Sequence, residues 1–241
     1  MKKIFALLCL VAGFSQSAVA ANFTAMNLLT QSDFRLLSED FGSALSYKPV
    51  TPAEPLGITG FDIGLEVTST DISKSGAALN TATGGAISVT RMIVPKLHIA
   101  KGLPLGIDVA AFISAVPSTN IKLMGGELRY AIMSGGVALP AVAVRAAMTS
   151  MTGVDELDFS TRSLDISISK GFLMFTPYVG AGQVWVNSTP RGTASNLSAE
   201  SFTQSKVFAG ANLNLGLMNF ALEGDTTGGA SSYSLKVGFR W

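Results

Sequence analysis

The residue types that most often carry chemistry are sparse in this sequence of 241 residues. His98 is the only histidine, and serine-type catalysis needs such a base beside its nucleophile. Asp155, Glu156 and Asp158 lie close together, in a pattern typical of a solvated loop or at most a weak cation site. The sequence has no zinc-ligand spacing, P-loop, nucleotide fingerprint or nucleophile elbow. We therefore predict a protein that is not an enzyme and that has no cofactor and no metal.

A second group of polar residues is more informative, because its members occupy every second position. Asp62 and Glu66 alternate with Ile63, Leu65 and Val67. Since successive side chains of a strand point to opposite faces, such a segment has one apolar face and one polar or small face. The same alternation runs through residues 105–114, 164–169, 206–215 and 233–241.

Composition and segment length together favour a membrane protein built from strands. Hydrophobic residues make up 48% of the chain and charged residues only 14%, whereas soluble domains carry about 25% charged residues. The alternating segments have about 10–14 residues, which is near the length of a tilted membrane strand and longer than most soluble strands. No apolar stretch after the first 20 residues is long enough for a transmembrane helix. With 17 basic and 16 acidic residues, the chain has no basic surface that would indicate a nucleic-acid partner.

We predict an all-β fold, an antiparallel transmembrane β-barrel of about ten strands, with eight to twelve as the range. Tight connections such as Lys101-Gly102 alternate with longer ones, as in bacterial barrels, whose periplasmic turns are short. An even number of strands places both termini on the periplasmic side. Pro95 indicates a bulge or a shifted boundary in the second strand, and the seventh strand cannot be oriented because both of its phases are apolar. The predicted strands are 60–70, 87–100, 104–115, 121–133, 137–149, 159–170, 172–187, 203–215, 218–226 and 232–241.

The first 20 residues are predicted to be a secretory signal. Lys2 and Lys3 precede an apolar core that is too short to span a bilayer, and Ala18-Val19-Ala20 suits cleavage. Lipidation of Cys9 is an alternative, but the large Leu8 precedes it and the apolar core would be cut in half. The domains are then a signal peptide (1–20), an N-terminal helix with a proline-rich connector (21–59) and the barrel (60–241).

The C-terminal strand carries a resemblance to a known group. Tyr233-Ser-Leu-Lys-Val-Gly-Phe-Arg-Trp241 resembles the last strand of Gram-negative outer-membrane β-barrel proteins, with Tyr233, Phe239 and Trp241 as its assembly signal. The resemblance implies location in the outer membrane of a Gram-negative bacterium. It also implies contact with outer-membrane lipids and lipopolysaccharide, and recognition by the barrel-assembly machinery. A soluble periplasmic β-sandwich would explain the alternation but not the segment length or the low charge.

Residues 21–59 do not have the alternation of a strand. Ser32 can cap a helix, and Phe34, Leu37, Phe41 and Leu45 then recur at helical spacing. The prolines of residues 47–55 end this helix. It could plug the barrel, lie on the membrane or pack at the mouth, and a plug before a barrel resembles the hatch of the long-chain fatty-acid transporters.

The polar phase of the strands is expected to face the lumen, where charges of both signs should pair. The leading hypothesis is a narrow pore or passive channel for small solutes, with the N-terminal segment as its plug. A closed structural or surface-interaction barrel is the first alternative. A carrier of small hydrophobic molecules, suggested by inward Phe112 and Phe208, is the second. The lumen-lining candidates are Asp62, Glu66, Asp108, Glu127, Arg129, Arg145, Asp165, Lys206, Lys236 and Arg240.

Overall fold

Ten antiparallel strands close into one barrel in the computed structural model, which describes residues 22–241. The predicted signal peptide lies outside the described residues. Each strand pairs with its neighbours in the sequence, and β1 pairs with β10 to close the sheet. The predicted ten-stranded barrel is therefore confirmed. The strands are β1 (Phe61–Asp71), β2 (Arg91–Gly102), β3 (Ile107–Ala115), β4 (Lys122–Ser134), β5 (Ala141–Thr152), β6 (Leu157–Ser169), β7 (Phe175–Pro190), β8 (Glu200–Leu215), β9 (Met218–Thr227) and β10 (Ala230–Arg240).

Closure pairs each strand with two neighbours, which is the condition for crossing a bilayer with strands. The β1–β10 seam runs from Thr70 opposite Ser232 to Asp62 opposite Arg240. Beyond it, Phe61 and Trp241 exchange two main-chain hydrogen bonds of 2.9 and 3.1 Å, and their rings stack. Trp241 therefore continues the β1–β10 pairing beyond the last strand residue.

Pro95 lies inside β2, opposite Val67, with no bulge in the β1–β2 register. β2 pairs with β3 only from Leu97 onward, so the segment with Pro95 has a free edge on that side. A missing ladder donor is tolerated at such an edge. Of the two expectations at Pro95, the bulge is wrong and the shifted boundary is confirmed, because β2 is Arg91–Gly102 and not 87–100. The register shifts in β4 instead, between Ala131 and Met133.

The two ends of the barrel differ in their connections. One end, the turn end, carries the segments 103–106, 135–140, 170–174 and 216–217 together with Trp241. The other, the loop end, carries the segments 72–90, 116–121, 153–156, 191–199 and 228–229. The predicted turn at Lys101-Gly102 is wrong, because both residues continue β2 and the chain turns at Pro104–Gly106 instead. The 72–90 loop also contains a short helix, α2 (Gly76–Ala82), that the alternation did not predict.

The outer face is apolar, and the inner face is polar or small except for a group of large apolar side chains in its loop-end half. Leu65, Ile99 and Leu235 on the outside are each about half exposed, whereas Glu66, Thr68 and Lys236 on the inside are buried. β7 follows the same rule, with Val179 and Trp185 outward and Tyr178 inward. An apolar exterior around a polar interior is the architecture of outer-membrane β-barrel proteins.

The N-terminal segment, residues 22–59, runs through the barrel lumen. Its helix α1 (Gln31–Leu45) has a capping box in which Thr30 and Asp33 bond each other's main-chain N–H. The predicted helix is confirmed, but its cap is Thr30 rather than Ser32. Within residues 22–241 no helix is long and apolar enough to cross a bilayer. After α1 the chain is neither helix nor strand, is buried through residues 46–53 and has a left-handed backbone at Val50, with φ of 42°. This part, called the extended segment below, reaches β1 at the turn end.

Candidate functional site: the occupied lumen

The loop-end half of the lumen is an apolar collar that holds α1. Phe34, Leu37, Phe41 and Leu45 are 0–1% exposed, and the ring of Phe41 packs edge-on against Phe159 at 6.0 Å. Burying each such side chain stabilises the docked helix by about 1.5–3 kcal/mol. Undocking of the helix is therefore a rare event. The collar residues on the strands are Met92, Val94, Leu123, Met151, Leu157, Phe159, Val184 and Val186.

Inward glycines make the barrel wide enough for this segment. Gly125 lies opposite Phe112, and Gly180 lies opposite Phe208. A Cβ atom on either glycine would lie 2.3 Å from the facing ring, so each ring lies flat against the wall where the glycine leaves room. This arrangement lets a ten-stranded barrel contain a helix, although the interior of an eight-stranded one is nearly filled by its own side chains.

In the turn-end half, wall charges hold the main chain of the extended segment. Lys206 donates to the carbonyl of Tyr47 at 2.9 Å, and Arg129 donates to the carbonyl of Pro52 at 2.7 Å. Bonds of the opposite polarity alternate with these along the segment. Glu223 accepts from the main-chain N–H of Val50 at 3.1 Å, and Asp108 accepts from that of Leu56 at 3.1 Å. Since these bonds reach main-chain atoms, they depend on the path of the backbone more than on side-chain identity.

The wall charges also pair with one another. All but one of these ion pairs join neighbouring strands, and the exception joins Asp165 on β6 to Lys206 on β8. Asp108 and Arg129 face each other on β3 and β4, and Arg145 and Asp165 do so on β5 and β6. Burial leaves each charge dependent on its partner, because an unpaired charge in a low-dielectric interior is costly. The ion pairs are Asp62–Lys236 at 2.6 Å, Asp108–Arg129 at 2.6 Å, Glu127–Arg145 at 2.8 Å, Asp165–Arg145 at 3.2 Å, Glu66–Lys96 at 3.9 Å and Asp165–Lys206 at 3.9 Å.

The N-terminal segment completes the charge balance of the interior. Lys48 is fully buried and lies 2.7 Å from Asp225, for which it is the counter-ion. Glu200, at the loop-end limit of β8, pairs with Arg35 and is left out of this count. Without Lys48 the other inward wall charges include one more acid than base; with it, the two signs are equal. The acids are Asp62, Glu66, Asp108, Glu127, Asp165, Glu223 and Asp225, and the bases are Lys96, Arg129, Arg145, Lys206, Lys236 and Arg240.

His98 takes part in a buried polar chain instead of standing beside a serine nucleophile. Its Nε2 atom lies 2.9 Å from the Tyr47 hydroxyl, and its Nδ1 atom lies 3.7 Å from Glu66. All three side chains are enclosed by the wall and the N-terminal segment, so a substrate has no access to them. Within residues 22–241 no cluster of His, Cys, Asp and Glu side chains could hold a metal ion. Asp158 in the acidic run pairs with Arg191 at the surface.

The structure places all ten predicted lumen residues on the inner face, nine of them buried and Arg240 half-buried at the turn end. There Arg240 contacts the carbonyl of Glu54 at 3.3 Å. The four predicted plug residues lie inside the collar, and the three residues of the predicted assembly signal are exposed on the outer face.

The expectation that both termini lie at the same end is wrong for the described chain. Asn22 contacts Asn120 at the loop end, whereas Trp241 pairs with Phe61 at the turn end. The strand count correctly predicts the end at which the barrel begins and finishes. It carries no information on the segment before β1, which passes through the lumen to the opposite end.

Tyr47, Lys48, Lys96, Tyr178 and Asp225 were not identified as candidates. Asp225 shares the inward phase of Glu223, and Lys96 shares that of His98, so strict alternation could have found both. Because both phases of the seventh strand are apolar, the sequence did not indicate that Tyr178 faces the lumen. No pattern in the sequence marks Tyr47 or Lys48 as lumen residues, because they precede the strands.

A small cavity remains at the turn end. It measures about 420 Å³ and lies between the extended segment and the β4–β5 and β6–β7 connections. Glu54, Ser169, Thr176 and Asn214 contribute its polar lining.

The sequence matches no protein-family model and no curated protein. Among solved structures it is similar to the KdgM porin, with 10% identity, a TM-score of 0.39 and coverage of 74% of this chain and 98% of that one. It is also similar to the N-terminal β-barrel domain of Pseudomonas aeruginosa OprF, at 16% identity, a TM-score of 0.36 and coverage of 74% and 97%. The translocator domain of the autotransporter NalP from Neisseria meningitidis has 13% identity, a TM-score of 0.35 and coverage of 94% and 100%. These similarities are remote, and the barrel fold of this chain rests on its own strand pairing.

Proposed function

We propose that this protein is a channel for small polar solutes in the Gram-negative outer membrane, closed at rest by its own N-terminal segment. The carrying observation is the charged inner wall that holds residues 47–56 by hydrogen bonds. Water can replace those bonds when the segment leaves, because charged and polar groups are well solvated. A lumen lined only by apolar side chains would have no such compensation.

The closed state is strongly favoured in this proposal. The four buried apolar side chains of α1 must leave the collar before a path opens, and each costs about 1.5–3 kcal/mol to expose. The full-length protein should therefore conduct only in rare events.

The open lumen should prefer cations. Removing the segment takes Lys48 from Asp225 and the Val50 N–H from Glu223, which leaves the wall charges, Glu200 aside, with one more acid than base. A pore lined by excess negative charge raises the local concentration of cations.

Planar-bilayer recording tests this proposal. We compare the full-length chain with a variant that lacks residues 22–56, after refolded barrel content has been matched by heat-modifiable mobility. The deletion should give steady conductance and a cation-selective reversal potential in a KCl gradient, where the full-length chain gives brief openings. Adding Asp225→Asn to the deletion should reduce the cation preference. A folded deletion variant that does not conduct would reject the channel.

A closed structural or surface-interaction barrel is the second candidate. Each buried acid of the wall has a polar partner within the protein, such as Tyr178 for Glu223 at 3.0 Å, as a solid interior would require. In that case the deletion variant stays silent or fails to fold, and Gly42→Leu, which only loosens α1, does not conduct either. The carrier of hydrophobic molecules has no support, because α1 fills the apolar collar, and the enclosure of His98 supports no catalytic role.

A further inference from the structure

We infer that the N-terminal segment crosses the outer membrane inside its own barrel, so that residues 22–30 are displayed on the cell surface. This inference rests on the membrane location in the proposed function, but it does not require the barrel to conduct. It assigns the lumen a second role, as a passage that holds an extended polypeptide.

The first support is the contacts of the segment at the loop end. The N–H of Ala25 donates to the carbonyl of Ala82, the last residue of α2, at 3.0 Å. Gln31 exchanges two hydrogen bonds with the main chain of Ser198, of 3.1 and 2.9 Å. Phe23, Met26 and Leu29 are buried in the same cluster as loop residues such as Leu79 and Leu197. The start of the described chain is therefore packed among the loops.

The second support is the contacts at the other end. Leu56 donates to Asp108, at the turn-end limit of β3. The carbonyl of Gly60 then accepts from the N–H of Gly102, the last residue of β2, at 3.0 Å. Residues 31–56 consequently span the whole lumen from one end to the other.

The connections indicate which end faces outward. The longest of them, 72–90 and 191–199, both lie at the loop end, and outer-membrane barrels have long extracellular loops and short periplasmic turns. Residues 22–30 share the loop end. They therefore belong on the extracellular side, whereas Trp241 belongs on the periplasmic side.

The wall holds the extended part through main-chain carbonyl and N–H groups, which every residue except proline provides in full. The loop end is also where the chain leaves the lumen toward its N-terminus. A peptide inserted ahead of Asn22 should thus emerge on the surface without disturbing the barrel.

Cysteine labelling in intact cells tests the display. Cys9 is the only native cysteine, so single cysteines are introduced into a Cys9→Ala background. Thr24→Cys reports on the segment, Ser195→Cys on the loop end and Ala138→Cys on the turn end, and all three positions are exposed. The probe is a membrane-impermeant maleimide, applied before and after permeabilisation. A short epitope between Ala21 and Asn22, detected by antibody on intact cells, provides a second readout.

We expect Thr24→Cys and Ser195→Cys to be labelled in intact cells, and Ala138→Cys only after permeabilisation. If Thr24→Cys is labelled only after permeabilisation, as Ala138→Cys is, the display is overturned. Labelling of all three in intact cells would overturn it as well, because no membrane would then separate the two ends. If the expected pattern is found but the deletion variant does not conduct, the channel fails and the display stands.

Discussion

Lys48 gives the N-terminal segment a buried charge that pairs with the barrel wall. It lies 2.7 Å from Asp225, with both side chains buried, and it brings the wall charges, Glu200 aside, to equal numbers of acids and bases. A buried pair of this kind contributes little net stability, but removing one partner leaves an uncompensated charge.

We predict that Lys48→Met destabilises the folded protein by about 3–5 kcal/mol, because Asp225 then remains buried without its counter-ion. The free energy of unfolding from urea titration in detergent measures this loss. The matched control is the double variant Lys48→Met/Asp225→Asn, which removes both charges and should recover most of the loss. Equal destabilisation in the single and double variants would contradict the pairing.

Asp40 gives the loop end a pH dependence. It lies at the loop-end side of α1, where it accepts a hydrogen bond from the N–H of Ser75, in the 72–90 loop beyond the end of β1, at 2.9 Å. Burial raises the pKa of Asp40 above its ordinary value, although the hydrogen bonds from Ser75 offset part of the increase. The folded state therefore keeps the proton at a pH where the unfolded state has lost it.

The unfolding free energy should fall as the pH rises from the ordinary carboxyl pKa of about 4 through the raised pKa of folded Asp40, and this contribution should be constant above it. Asp40→Asn should remove that slope. Unfolding titrations of both proteins at a series of pH values measure the difference. Parallel pH profiles would contradict this role of Asp40.

For single residues, the sequence predicts well which side chains face the lumen, but it predicts poorly which ion-pair partners they have. Strict alternation assigns Asp62, Glu66 and Arg145 to the lumen, because side-chain direction in a strand depends only on position. It cannot show that Arg145 lies between Glu127 and Asp165, because that depends on the register of β4, β5 and β6.

The helix α1 packs closely against the wall at Gly42, because this residue has no side chain. A Cβ atom there would lie 2.7 Å from Val186 and 2.5 Å from the Gln204 amide. The amide of Gln204 also donates to the carbonyl of Glu39 at 3.0 Å. The helix therefore contacts β7 and β8 closely at this point.

Gly42→Leu should push α1 away from β7 and β8 and increase the rate at which added trypsin cleaves at Arg35, with the barrel still folded. The control is Ser32→Leu, which introduces the same side chain at an exposed position of the same helix and should leave cleavage unchanged. Proteolysis time courses followed by mass spectrometry measure both rates. Similar rates for the two variants would show that the helix does not pack on this wall.

Among the elements, the strands and the helix were predictable and the connections were less so. Alternation fixes each strand to within a few residues, and helical spacing identifies α1. The capping box at Thr30 was missed because Ser32 is an equally good cap residue by type. The helix α2 was missed because a seven-residue helix within a loop gives no sustained period.

The whole molecule is a barrel whose interior is made by two parts of the chain. An apolar collar receives the apolar face of α1, and a charged region receives an extended main chain, so the two halves of the lumen match the two halves of residues 31–56. The sequence suggested a plug only as one of three roles for the helix. The decisive property is lumen width, which depends on glycines that face aromatic rings across strands, such as Gly180 opposite Phe208.

The most direct test of this account is a cross-link between the segment and the wall. The hydroxyls of Ser38 on α1 and Ser188 on β7 lie 2.8 Å apart and are buried. Ser38→Cys/Ser188→Cys, in a Cys9→Ala background, should form a disulfide on mild oxidation, and mass spectrometry should identify the linked peptides. The single variants should form none. A folded barrel in which both thiols remain free would show that the helix does not occupy the lumen.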